Sequence, residues 1–326
     1  MDRDMRAMVF QLPIEEDVVV IDRALSKGLH LLAHMIYTEL DVLHLEESHE
    51  YAICSQIAAA IECGIVIPER LMLTLKDRVL LNIFHSGQHL PLREATRATQ
   101  FLTLLERDEE ALRALSVLAS AVQGAQNRDG GWGFYRTDHS RIPATSAALQ
   151  VLAKCRTKGL DVDQSVLDRG YAFLTEAYYK DLARDRVLSF KAAQVLSAYL
   201  VRVPEIPELL RDIAGSVIRV LHESQSENGS WTFLVRATPR MREDLGSVAV
   251  TSINVDALTA VLAREEVLTD EQWATALTMA LKGARFLCAT QMGDGYWPAQ
   301  HSDEYIIRTA ECVRTLFRVR RLISDA

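Results

Sequence analysis

The sequence has few of the residues that mark disulfide-bonded, metal-binding or nucleic-acid-binding proteins. Its five cysteines, Cys54, Cys63, Cys155, Cys288 and Cys312, are odd in number and widely spread. No pair of them has the spacing of a metal site or of a Cys-x-x-Cys motif. We therefore expect buried free thiols in a reducing compartment. The formal net charge of −8 lacks the basic excess of a general nucleic-acid-binding protein.

Long apolar runs and targeting signals are also missing. No stretch approaches the roughly 20 apolar residues needed to span a bilayer, and the chain begins Met-Asp-Arg-Asp without a basic and then apolar signal peptide. We expect a cytoplasmic protein with no transmembrane segment and no nucleic-acid partner. These features leave the oligomeric state open.

Glycine (15) and proline (8) are scarce, and they fall mostly between periodic apolar segments, as helix breakers do. The apolar spacing predicts twelve helices. Their predicted ranges are 16–36, 48–64, 68–84, 91–106, 108–125, 144–156, 164–179, 187–201, 206–224, 248–263, 270–290 and 304–320. Thr269 and Gln272 resemble a capping box at the start of the eleventh.

The twelve helices form six pairs, and in several pairs the second helix is shorter and rich in small residues. Ala144–Leu152 and Phe190–Ala198 are examples. Small residues let helices approach closely, which suits an inner ring wrapped by longer amphipathic helices. The sequence therefore predicts an all-α protein, an (α/α)6 toroid of six helical hairpins in a single domain over residues 1–326. An open solenoid is the alternative.

A seven-residue pattern occurs three times, each time at the turn from the first to the second helix of a pair. The copies are Gln126–Trp132, Gln225–Trp231 and Gln291–Trp297. Each contains a glycine suited to a tight turn with positive φ. We predict that the tryptophan packs over a helix end and that the glutamine amide satisfies backbone groups there. The pattern is therefore predicted to be structural.

The first copy, with Gly133 and Phe134 after it and Thr145–Leu149 beyond, resembles the QW repeat of squalene–hopene and oxidosqualene cyclases. The repeats are also similar, more loosely, to those of protein prenyltransferase β subunits and of the class II domains of plant terpene synthases. The resemblance covers residues 108–320, and the first 105 residues match in helix rhythm alone. It implies a toroid with an apolar cavity and a small apolar isoprenoid substrate.

The catalytic motif of these cyclases, Asp-x-Asp-Asp-Thr, is missing at the matching positions. If Thr145, Thr251 and Thr309 are the matching threonines, no acidic residue lies among the four residues before each of them. The zinc set of the prenyltransferases is also missing, since no Asp lies two residues before Cys312. We therefore expect no cofactor, although Mg²⁺ would accompany a diphosphate substrate.

A different set of acids repeats before the same threonines. Asp138 and Asp244 lie seven residues before Thr145 and Thr251, and Asp303 lies six residues before Thr309. In a toroid these loops converge on one rim, where an apolar cavity would raise a carboxyl pKa and suit it to general-acid catalysis. Simple helix capping is the alternative role.

The same loops carry basic and polar residues suited to a diphosphate or a carboxylate. The candidate substrate-binding residues are Arg136, Arg141, Arg236, Arg240, Arg242, His139, His301 and Glu304. Rim salt bridges to the nearby acids are their alternative role.

Asp256 is a fourth candidate acid, on a predicted inner helix. It and Asn254 interrupt an apolar run, so they either face the central cavity or bond between helices. Aromatic residues make up 7% of the chain, a thin supply for stabilising carbocations.

Together these features predict a terpenoid-cyclase-like enzyme that activates an isoprenoid, or an isoprenoid diphosphate, by carboxylate general-acid chemistry. A non-catalytic toroid that binds an apolar ligand or a protein partner is the main alternative. A toroid enzyme acting on sugars through paired carboxylates is a third.

Overall fold

The computed structural model describes residues 14–41, 49–86, 89–201, 208–233, 246–299 and 305–325, and all regular structure in these ranges is helical. The α-helices are α1 (Ile14–Asp41), α2 (His49–Glu62), α3 (Glu69–Ser86), α4 (Leu92–Leu102), α5 (Glu109–Gly124), α6 (Ile142–Thr157), α7 (Gln164–Ala183), α8 (Ser189–Leu200), α9 (Glu208–Ser224), α10 (Val248–Leu262), α11 (Asp270–Thr290) and α12 (Tyr305–Asp325). The all-α prediction is confirmed, and the predicted bounds agree to within five residues.

The chain packs as two compact units. The central unit contains residues 34–184, and the terminal unit contains residues 1–33 with residues 185–326. In the central unit α4 lies between α2 and α6, and α5 packs behind α4 and α6. In the terminal unit α10 lies between α8 and α12, and α11 packs behind α10 and α12. The predicted alternation of inner and outer helices therefore holds within each unit, while the single-domain prediction stays a prediction.

Small residues explain the close packing of the even-numbered helices, which we call the inner helices. Ala144 and Ala148 of α6 are fully buried, as are Ala192 and Ala193 of α8. The inner helices α4 and α10 each lie between two other inner helices and have an outer helix behind them, so one narrow face of each stays accessible. We call that face the open face of the helix.

The three Gln-to-Trp segments make the same local bonds. Each tryptophan Nε1 donates to the carbonyl ten residues earlier, which is that of Val122 (2.7 Å), Leu221 (2.9 Å) or Leu287 (2.7 Å). Each tryptophan N–H donates to a threonine Oγ1 of the next helix, in Thr145 (3.0 Å), Thr251 (3.1 Å) or Thr309 (3.3 Å). The predicted equivalence of these threonines and the structural role of the segments are therefore confirmed.

Each segment also docks on a further outer helix through one repeated arrangement. The glutamine Nε2 donates to a helix carbonyl, in Val166 of α7 (2.8 Å), Met279 of α11 (3.0 Å) or Ala24 of α1 (3.0 Å). Three residues later on that helix comes a basic residue, and then a glycine under the tryptophan ring. These pairs are Arg169-Gly170, Lys282-Gly283 and Lys27-Gly28. The sequence analysis missed these basic-glycine pairs, although their spacing is the same on all three helices.

The third segment joins the end of the chain to its beginning within the terminal unit. Gln291 and Trp297 dock on α1 as the other two segments dock on the outer helix that follows them. Asp17 of α1 is buried and accepts from Arg285 of α11, with 2.7 Å between its Oδ2 and Nη2. Helices near the two ends of the chain therefore pack together within the terminal unit.

Several local predictions can be compared with the helices. Thr269 and Gln272 form the predicted capping box. The helix predicted over 164–179 is α7, which continues four residues further to Ala183. All five cysteines are free, and burial raises the pKa of Cys155 and of Cys288 to about 12. None of the described helices combines the length and the apolar character needed to cross a membrane.

Candidate active site

Asp138 lies in the loop before α6, where it closes a turn. Its Oδ2 accepts from the Tyr135 N–H at 3.2 Å, and its own N–H donates to the Tyr135 carbonyl at 3.0 Å. The helix-capping role is wrong for this residue, because Arg141 occupies the N-cap of α6 and no side chain caps the helix. The carboxylate is fixed four residues before Ile142, the first residue of α6.

The loop around Asp138 is held by its own polar side chains. Asn127 Nδ2 donates to the Asp138 carbonyl at 3.0 Å and to Ser140 Oγ at 2.9 Å. A Cβ at Gly133 would lie 2.3 Å from the Cβ of Asp138, so this close approach requires a glycine. The position of Asp138 is therefore set before any ligand binds.

The other predicted residues of this loop are exposed. Arg136, His139 and Arg141 all face solvent, and Arg136 borders two neighbouring cavities of the central unit. The remaining predicted rim residues lie outside the described part of the chain. They are Asp244, Asp303, Arg236, Arg240, Arg242, His301 and Glu304.

Asp256 lies on the open face of α10 and bonds to a neighbouring helix, which is the second of the two predicted alternatives. Its Oδ1 is 2.6 Å from Nη1 of Arg318 on α12, and its side chain keeps 26% of its surface exposed. Asn254 is fully buried instead, and neither polar atom of its side chain has a hydrogen-bond partner. Asp256 is thus an ion-paired carboxylate.

Glu94 is a carboxylic acid that the sequence analysis missed. It lies in the first turn of α4, half-buried on the open face, between Arg93 and Arg97 in the sequence. Desolvation raises the pKa of its carboxyl group, although the two arginines oppose the shift. A half-buried acid with a raised pKa has the property that a general acid needs. No sequence motif surrounds it, so only its burial could have revealed it.

The start of α4 is attached to the loop that carries Asp138. The Leu92 N–H, at the first residue of α4, donates to the Phe134 carbonyl at 3.2 Å. Glu94 follows Leu92 by two residues, and Asp138 follows Phe134 by four. This edge of the central unit therefore carries one half-buried acid and one carboxylate fixed in a polar turn.

The accessible side chains of α4 are polar rather than apolar. Accessible side chains on α4 are Arg93, Glu94, Thr96, Arg97 and Gln100, and α6 adds Gln150 and Lys154. Among the described side chains of α2, α4 and α6, the two aromatic ones, Tyr51 and Phe101, are buried. This face therefore differs from the apolar lining that the resemblance implied.

Aromatic pairs occur instead at the edge of the terminal unit. Phe190 and Phe233 make an edge-to-face pair with ring centroids 5.6 Å apart, and Tyr296 and Tyr305 make another at 6.0 Å. Each pair joins the first turn of an inner helix to the loop beside it. In the described residues no group of three or more His, Cys, Asp or Glu side chains is placed to hold a metal ion.

No protein-family model matches the chain, and no curated protein matches it significantly. Among solved structures, a possible member of the GH105 family from Salmonella enterica serovar Paratyphi A has a TM-score of 0.62 at 11% identity, covering 92% of this chain and 93% of that one. A possible GH105 member from Klebsiella pneumoniae has a TM-score of 0.53 at 14% identity, covering 84% and 81%.

These two likenesses extend over most of both chains. The chain has the all-α, (α/α)6 toroid fold. A type II terpene cyclase from Scytonema is also similar, with a TM-score of 0.36 at 11% identity over 70% of this chain and 87% of that one. That score is too low to support an argument. At such identities the comparisons establish the fold and leave the activity to the site.

Proposed function

We propose that this protein is an enzyme that cleaves a polar glycoside by carboxyl acid–base chemistry at the α4 edge of the central unit. The observation that carries the proposal is the half-buried Glu94, whose pKa is raised by desolvation, on an open face of polar side chains. Arg93 and Arg97 flank it and suit the hydroxyl and acidic groups of a polar substrate.

Most enzymes that cleave glycosides use two carboxyl groups in different environments, one as the general acid and one as the base or nucleophile. Glu94 would protonate the glycosidic oxygen as the bond to the leaving group breaks. Asp138, held in its polar turn, would stabilise the positive charge developing on the sugar or deprotonate the attacking water. If Asp138 stabilises the cation, Glu94 regains its proton from the attacking water; if Asp138 takes the water proton, it releases that proton to solvent and Glu94 takes one back. In both cases the reaction consumes one water and leaves the enzyme unchanged.

The loop beside Asp138 also supplies an aromatic surface for a sugar ring. Tyr135 is 62% exposed and Phe134 is 37% exposed, and sugar rings present apolar faces that stack on aromatic side chains. The fold shared with two possible members of GH105, a glycoside-hydrolase family, supports the same substrate class.

The isoprenoid function predicted from the sequence remains a second candidate, supported by the Gln-to-Trp segments and by the aromatic pairs of the terminal unit. Asp138, Asp244, Asp303 or Asp256 would then act as the acid. The arginines of the rim would hold a diphosphate together with Mg²⁺. The ion pair between Asp256 and Arg318 counts against Asp256, since the carboxylate is already bonded to a guanidinium group of the neighbouring helix.

The test is a substrate panel read by mass spectrometry and chromogenic release. It contains 4-nitrophenyl glycosides and mixed oligosaccharides on one side, and farnesyl and geranylgeranyl diphosphates and squalene, with and without Mg²⁺, on the other. We expect glycoside cleavage that falls by about 10²–10⁴-fold in both Glu94→Gln and Asp138→Asn. The control is Asp161→Asn, which changes an exposed acid remote in sequence from both carboxylates.

Each other outcome changes the conclusion. Cleavage that survives both substitutions would remove Glu94 and Asp138 from the mechanism. A cyclic isoprenoid product lost on Asp256→Asn would establish the second candidate. Unchanged substrates across the whole panel would support the non-catalytic toroid that binds an apolar ligand or a protein partner.

A further inference from the structure

Two neighbouring cavities lie on the outer side of the central unit, between α5 and the loops at the start of α4 and α6. The smaller has a volume of about 60 Å³ and is lined mainly by apolar side chains, among them Leu92, Leu118, Val122 and Phe134. It has room for about four to six water-sized groups. That is the size of a short alkyl chain.

The larger cavity is an open groove of about 340 Å³ along α5, lined by Ser116, Val117, Ser120, Ala121, Gly124 and Arg136. Its α5 positions recur every three or four residues, so they form one exposed helix face. The serine hydroxyls can donate hydrogen bonds. The groove is therefore a polar space with a guanidinium group at one side.

Ala121 and Arg136 line both cavities, so the apolar cavity and the polar groove meet beside the Arg136 guanidinium. An apolar recess that opens beside an arginine suits a molecule with a short hydrocarbon end and an anionic head. Buried alkyl groups would add affinity in proportion to the apolar area removed from water. A bare anion would contact Arg136 alone, and a neutral alcohol would fill the apolar cavity alone.

We propose that this paired cavity binds an amphipathic anion, a short-chain alkyl phosphate or carboxylate, with its alkyl end in the apolar recess and its head on Arg136. Neither Glu94 nor Asp138 lines either cavity, so the site is separate from the two proposed catalytic carboxylates, although Phe134 and Tyr135 of the proposed sugar-stacking surface also line the smaller cavity. A structural role for Arg136, complementing the carbonyl end of α5, is the competing explanation.

Calorimetric titration of the full-length protein separates the two explanations. The probes are pentyl phosphate, inorganic phosphate and 1-pentanol. We expect pentyl phosphate to bind at least tenfold more tightly than either of the others. Arg136→Gln should weaken it at least tenfold, while Arg128→Gln, which changes an exposed arginine of the same loop outside both cavities, should leave it unchanged.

A second variant tests the apolar half of the site. Ala121→Leu places a larger side chain where the two cavities meet, and we expect it to weaken pentyl phosphate at least tenfold while inorganic phosphate binding stays the same. Three results would overturn the proposal: equal affinity for phosphate and pentyl phosphate, unchanged binding in folded Arg136→Gln, or no heat of binding at millimolar pentyl phosphate.

Discussion

The Gln-to-Trp segments and the open faces of the inner helices differ in how closely they repeat. The three segments keep the same donors, acceptors and docking glycines in both units. The open faces share no such pattern: α4 presents Glu94 between two arginines, whereas α10 presents Asp256 paired with Arg318 of α12. Residues that repeat hold the hairpins together, and residues that do not repeat are those available for chemistry.

Removing a segment tryptophan should have the largest effect on stability. Trp231 is fully buried, and Trp231→Ala should lower the free energy of unfolding by about 3–5 kcal/mol, measured by urea denaturation. The comparison of Trp231→Phe with Trp273→Phe isolates the repeated bond, because the buried Trp273 Nε1 has no hydrogen-bond partner. Trp231→Phe should cost about 1 kcal/mol more stability than Trp273→Phe. Equal costs would show that the hydrogen bond from Trp231 Nε1 to the Leu221 carbonyl contributes nothing to stability.

Adding one methyl group at the positive-φ glycine of a Gln-to-Trp segment should lower stability nearly as much. Gly229 has a φ of +88°, and a Cβ there would lie 2.2 Å from the Lys282 carbonyl oxygen. Gly229→Ala should cost about 2–5 kcal/mol, from overpacking of about 1–3 kcal/mol and a left-handed backbone of about 1–2 kcal/mol.

Gly159→Ala is the matched control for that substitution. Gly159 has a φ of +78°, and a Cβ there would have no other atom within 4 Å, so its replacement should cost the backbone contribution alone, about 1–2 kcal/mol. Both variants are measured by the same thermal or urea denaturation. Equal losses of stability at the two glycines would show that the segment containing Gly229 does not pack tightly against α11.

An ion pair between two outer helices should contribute less. Lys76 Nζ lies 2.7 Å from Oδ2 of Asp108 and 2.9 Å from Oε2 of Glu110. Asp108→Asn preserves the cap of α5 and should cost about 1 kcal/mol or less.

The hydrogen bond from Lys76 lowers the pKa of Asp108, so this stability is present above the ordinary carboxyl pKa and disappears as pH falls through the lower, folded-state value. A Lys76→Met protein should lack that acid-dependent loss, and a pH dependence identical to that of the parent would refute this assignment.

Replacing Glu94, the acid on the open face of α4, should have the smallest effect on stability. Unlike the other substitutions, it should raise the free energy of unfolding rather than lower it. Burial raises the pKa of Glu94 above its ordinary value, so its contribution is greatest below that ordinary pKa and falls as pH rises through the folded-state value. Glu94→Gln should therefore gain stability relative to the parent between acid and neutral pH, in melts at several pH values. Asp161→Asn should show no such trend, and a loss of stability at neutral pH in Glu94→Gln would show that the carboxylate is stabilised rather than strained.

Much of the fold follows from local signals in the sequence. Apolar periodicity located the twelve α-helices of the described part of the chain. The Gln-to-Trp spacing identified the turns and their threonines, because each tryptophan bonds within the segment's own hairpin. The basic-glycine pairs on α1, α7 and α11 were harder to find. Each is an ordinary helical dipeptide until a segment from elsewhere in the chain packs on it.

The candidate site was much less accessible to sequence reasoning. Asp138 was identified by its spacing before Thr145, but its bond to Tyr135 rather than to the helix end depends on the shape of a loop. Glu94 has no motif at all, and its pKa depends on how much water its neighbours exclude. The polar character of the α4 face was also hidden, because amphipathic spacing alone does not say which neighbours cover a helix.

The sequence by itself determined the all-α class, the alternation of helices and the threefold segment, since each depends on hydrogen bonds and apolar contacts between residues close along the chain. The tertiary structure alone decided which acids are desolvated and which are paired. Asp256 meets Arg318 across 62 positions of the chain, and Glu94 is desolvated by whatever packs around the start of α4. Burial and long-range pairing are properties of packed helices, and they set the chemistry that each carboxylate can perform.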